Sequence, residues 1–70
     1  MYDSVQVYLD GRRDLFIENY KGLQTYTDEY IAIKTKNETL KITGSKLHIE
    51  YYSNEEMKIT GYFSEVKFEE

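Results

Sequence analysis

Apolar and polar residues alternate with a period of two along almost the whole chain, and no proline interrupts them. That period sends successive side chains to opposite faces of an extended strand. Val5, Val7 and Leu9 alternate with Gln6 and Tyr8, and Leu15 and Ile17 alternate with Phe16 and Glu18. The same pattern predicts strands over 5–9, 14–20, 23–27, 30–35, 39–43, 47–53 and 57–68, the last bent near Gly61. Between them lie Asp10-Gly11-Arg12, Lys21-Gly22, Asp28-Glu29, Lys36-Asn37-Glu38, Gly44-Ser45-Lys46 and Asn54-Glu55-Glu56. Turn signals about every 8–12 residues mark an all-β sandwich or barrel. The expected fold is therefore all-β, a small antiparallel meander of about seven short strands forming a sandwich or partly open barrel.

Seventy residues make a single domain, 1–70. No apolar run approaches the roughly 20 residues that span a bilayer, and Met1-Tyr2-Asp3-Ser4 lacks the basic and apolar regions of a secretion signal. A cytoplasmic location without direct membrane insertion is expected. The net charge of −4 counts against duplex nucleic acid as a partner.

The inward set is expected to be Val5, Val7, Leu9, Leu15, Ile17, Leu23, Ile31, Ile33, Leu40, Ile42, Leu47, Ile49, Met57, Ile59, Val66 and Phe68. Tyrosine dominates the aromatics, with eight Tyr against three Phe. A tyrosine has an apolar body and a polar tip, which suits half-buried faces and interfaces. The alternation sends Tyr8, Phe16, Tyr20, Tyr26, Tyr30 and Tyr52 to the second face. These six form the candidate interface, for self-association or for a partner. Tight curvature that wraps some of them into the core is the structural alternative.

Chemistry finds little purchase. One histidine and no cysteine leave no zinc ligand set, and no Asp-rich calcium loop is present. No metal, cofactor or catalytic residue is expected. His48 and Glu50, two apart on one strand, could form a His–carboxylate pair of general-base character. With no nucleophile or oxyanion donors beside them, they read as exposed polar residues of a solvated sheet face. The pairs Asp28-Glu29, Glu55-Glu56 and Glu69-Glu70 fall at turns or the terminus, where charge is solvated. Leu40-Lys41-Ile42-Thr43-Gly44 is echoed by Met57-Lys58-Ile59-Thr60-Gly61. The echo reads as strand grammar with Gly at a turn or bulge.

The run Leu15-Phe16-Ile17-Glu18-Asn19-Tyr20-Lys21-Gly22-Leu23 resembles the opening of the YabP/YqfC family of sporulation proteins. Tyr30-Ile31-Ala32-Ile33-Lys34-Thr35, the two echoed pentapeptides, Leu47-His48-Ile49 and Val66-Lys67-Phe68 continue the likeness across about 5–68. The Glu-Asn-Tyr-Lys-Gly run is closer to the YqfC branch. Lys36-Asn37-Glu38 lacks the Gly that family members often carry there, and the basic N-terminal extension of longer YqfC-like proteins is missing. The resemblance implies a non-enzymatic protein of endospore-forming Firmicutes, in the mother-cell cytosol or peripheral to the forespore membrane. It implies a sporulation membrane protein as partner, while homo-oligomers are expected from the tyrosine-rich face and the open sheet edges. The alternative is a small barrel that binds a ligand or single-stranded nucleic acid through surface aromatics.

Overall fold

A computed structural model describes residues 4–70. Met1, Tyr2 and Asp3, part of the segment read above as lacking a secretion signal, lie outside the described residues. Six strands follow in order: β1 (Gln6–Asp10), β2 (Asp14–Glu18), β3 (Gly22–Tyr26), β4 (Tyr30–Lys34), β5 (Thr39–Tyr52) and β6 (Glu56–Glu69). They form one antiparallel sheet in the order β1-β2-β6-β5-β4-β3. The sheet is not closed: β1 and β3 are its two edges. The all-β expectation holds, with six strands in place of seven.

The missing boundary is at Gly44-Ser45-Lys46, where a turn was expected and β5 instead runs on. It does so because β6 pairs with it on both sides of this point, from Thr39↔Glu69 to Tyr52↔Met57. A straight 14-residue strand would extend about 46 Å, yet the longest dimension of the molecule is 34 Å. The β5–β6 hairpin therefore bends. Its first arm carries β4 and β3, its second carries β2 and β1, and the two arms fold over one shared core. Leu15, Ile17, Met57 and Ile59 of one arm join Ile31, Ile33, Leu40 and Ile42 of the other in that core.

The bend explains the echoed pentapeptides. Ile31 and Ile33 of β4 stand opposite Ile42 and Leu40, and Leu15 and Ile17 of β2 stand opposite Ile59 and Met57. Each pentapeptide thus fills the same place in its arm and ends on a glycine at the fold. A Cβ on Gly44 would overlap the Tyr62 carbonyl oxygen, and one on Gly61 would lie 2.7 Å from the Lys46 carbonyl oxygen. The Gly44 and Leu47 amides donate to the Glu29 and Asp28 carbonyls, as the Gly61 and Phe63 amides donate to those of Arg13 and Arg12.

Bulges reset the alternation along the hairpin. An extra residue on β5 between Ser45 and His48 switches the inward set from Leu40 and Ile42 to Leu47 and Ile49. Along β6 the alternation runs unbroken from Met57 through Ile59 and Gly61 to Phe63, and the extra residue Ser64 then brings Val66 to the same side. Phe63 is therefore buried, although the expected core omitted it. Leu9 and Phe68, assigned to the core, are 51% and 44% exposed instead. Leu9 sits on edge strand β1, which has no backbone pairing to the far half of β6, and Phe68 lies at the free end of its strand. Tyr20 corrects its assignment to the second face: it is 6% exposed and belongs to the core.

Three hairpin turns share one device. At Thr27, Thr35 and Ser53 the backbone N–H donates to the carbonyl three residues on, at 2.8 Å each time. The side-chain hydroxyl accepts the amide of that same third residue and donates to its carbonyl. A hydroxyl at the first turn position thus satisfies the backbone locally. Thr35 is buried while doing so.

Candidate interaction face

The outer face of the β1–β2 arm carries a row of side chains in direct cross-strand register. Tyr8 stands opposite Phe16, Phe16 opposite Lys58, and Lys58 opposite Tyr51. Strict alternation puts Tyr52 outward beside His48. The extra residue Glu50 shifts the phase by one, so Tyr51 turns outward and Tyr52 falls opposite buried Met57. A one-residue slip moves every later side chain to the other face. Nothing in Ile49-Glu50-Tyr51-Tyr52 announces the bulge, which is why the sequence reading missed Tyr51.

Lys58 ties the row together. Its ammonium lies 5.4 Å from the Phe16 ring centroid and 3.0 Å from Glu50 Oε1. The Glu50 hydrogen bond, outweighing a smaller opposing desolvation, holds the Lys58 ammonium above its ordinary range, helped by the charges of Glu50 and Asp14. Glu50 thus has Lys58 as its partner, where the sequence had set it beside His48. Tyr8 and Tyr51 are 54% and 46% exposed, and Phe16 is half-buried.

Acidic rows flank the aromatic one. Asp10 stands opposite Asp14 on one side, and Glu18 opposite Glu56 on the other. None of these four carboxylates makes an ion pair among the described residues. The outer face of the other arm has a different character. There Tyr30, half-buried, stands opposite Thr43, Ala32 opposite Lys41, and Lys41 opposite Lys67. Lys41 pairs with Glu69.

The six candidate interface residues consequently divide. Tyr8 and Phe16 lie together on the aromatic row. Tyr20 is buried at the end of the core, and Tyr52, 50% exposed, packs against it, ring centroids 5.8 Å apart and tilted by 36°. Tyr26 on edge strand β3 accepts the Ile49 amide with its hydroxyl at 3.0 Å, and Tyr30 lies on the opposite face. Tyr62, another exposed ring, carries the Arg13 guanidinium 4.4 Å from its centroid. Among the described residues no group of three or more His, Cys, Asp or Glu could hold a metal ion, and no helix is long and apolar enough to cross a membrane.

A family model for the YabP family matches residues 2–70. The chain belongs to the YabP family. No curated protein and no solved structure matches it. In this YabP-family chain, the Glu18-Asn19-Tyr20-Lys21-Gly22 run is the crossing from one arm to the other. Asn19 takes a positive φ of 66°, its amide donates to the Glu55 carbonyl, and the Lys21 amide donates to the Lys34 carbonyl. Asparagine tolerates that backbone better than most residues. Tyr20 between them is the core anchor.

Proposed function

We propose that this YabP-family protein is a non-enzymatic interaction module of endospore formation, docking on a partner through the Tyr8–Phe16–Lys58–Tyr51 row. Family membership supports the sporulation setting, and the Glu-Asn-Tyr-Lys-Gly run supports the YqfC side of the family. The carrying observation is the contrast between the two outer faces: one holds three aromatics in register, two of them exposed, the other a single half-buried tyrosine among small and charged residues. Aromatics at a polar-rimmed patch are the usual anchors of protein interfaces. The site of action is the mother-cell cytosol or the surface of the forespore membrane, where the implied membrane partner would lie. The flanking carboxylates count against the alternative of a single-stranded nucleic acid on this face.

The test replaces the chain in a spore-forming host by a Tyr8→Ser/Tyr51→Ser variant. Both side chains are exposed, so the variant is expected to fold and to lower spore yield. A folded variant with normal spore yield would remove this reading.

A further inference from the structure

We infer that the partner presents a cationic segment, rich in Arg or Lys, to the outer face of β1, β2 and β6. This rests on the docking reading above and names the chemistry of its partner. Two like-charge pairs, Asp10–Asp14 and Glu18–Glu56, stand directly opposite one another across neighbouring strands. Carboxylates so placed have Cβ atoms about 5 Å apart and repel. Among the described residues no cation makes a direct ion pair with any of the four, and only Asp14 lies within reach of the Lys58 charge. The aromatic row runs between them, and its one cation shows how the surface takes a positive group: Lys58 sits against the face of Phe16 and on the Glu50 carboxylate. Tyr8 and Tyr51, at the two ends of the row, offer further ring faces to guanidinium or ammonium groups.

The same charges disfavour a second copy stacked on this face. A two-fold axis lying in the face and centred on the aromatic row sets carboxylate rows against carboxylate rows, whether it runs along or across the strands. Like charges brought together across an interface are costly. A basic segment instead relieves both pairs and meets aromatic rings between them.

The probe is an octa-arginine peptide titrated into the full chain at low salt, followed by amide NMR shifts. The shifts are expected to concentrate on Tyr8, Phe16, Lys58 and their strand neighbours. Asp14→Asn/Glu18→Gln is expected to weaken binding about fivefold, from two lost charge contacts. Asp28→Asn/Glu65→Gln changes net charge equally away from the face and is expected to weaken it less than about twofold. Equal weakening by both variants, shifts spread over both outer faces, or no binding at about 1 mM would overturn the inference. So would self-association that shields this face from the peptide. A peptide that fails to bind, alongside a tyrosine variant that still blocks spore formation, removes the cationic partner and leaves the docking face. A tyrosine variant without effect on spores removes the docking face itself.

Discussion

The Tyr20 hydroxyl donates to the Glu56 carbonyl oxygen at 2.9 Å, joining the crossing between the arms to the start of β6. The same single proton is shared with the Ser53 carbonyl, so one hydroxyl bridges both ends of the β5–β6 turn. Losing it leaves the Ser53 carbonyl without that donor beside the core, while the Glu56 carbonyl keeps the Ser53 amide and hydroxyl. Tyr20→Phe is expected to cost about 1–2 kcal/mol in urea unfolding, and Tyr20→Ser about 3–5 kcal/mol because the ring goes too. A Tyr20→Phe variant as stable as the parent would show that these bonds add nothing.

The pH dependence follows from the same residue. Burial, with the nearby Tyr52 and Glu56, raises the Tyr20 phenol above its ordinary range despite the opposing Ser53 bond. The folded state therefore keeps the proton longer than the unfolded chain. This contribution is intact below about pH 10 and is lost as pH rises from there through the folded pKa. Stability should fall with pH in that window more steeply in the parent than in Tyr20→Phe. Parallel curves would contradict it.

Thr35 tests the turn device where it is buried. Its hydroxyl donates to the Glu38 carbonyl at 2.9 Å and accepts the Glu38 amide at 3.2 Å. Thr35→Val keeps the shape and removes both bonds, at an expected cost of about 1–3 kcal/mol. Ser at this position should recover most of it, and a Val variant that melts with the parent would rule the device out.

Glycine substitutions should separate crowding from backbone preference. Gly61 has φ +144° and backbone within 3 Å of any added Cβ, so Gly61→Ala is expected to cost more than about 3 kcal/mol. Gly11 has φ +66° in open space, and Gly11→Ala is expected to cost about 1 kcal/mol. Similar melting temperatures for the two variants would show that the bend tolerates a side chain.

Glu18 and Glu56 oppose each other across β2 and β6. Glu18→Lys replaces repulsion by attraction and is expected to stabilise the fold by about 0.2–1 kcal/mol while weakening octa-arginine binding. A gain in stability with a loss of binding would mark the pair as kept for function. Destabilisation would show that the two carboxylates do not repel.

The alternation of apolar residues was enough to determine the all-β class and most of the core, because a strand's side-chain period is a local property of its backbone. Leu15, Ile17, Ile31, Ile33, Leu40, Ile42, Met57 and Ile59 are all fully buried where their parity placed them. Tyr8 and Phe16 were equally legible as outward residues. Tertiary structure decided the rest, through the extra residues in the β5–β6 hairpin. Those bulges arise from pairing two long bent strands, a relation between distant segments, and each one inverts the facing of whatever follows. Hence Tyr51 came out, and Tyr52 turned toward Tyr20. The echoed glycines were visible as residues, but only the fold shows that they meet backbone at the bend, where a side chain has no room.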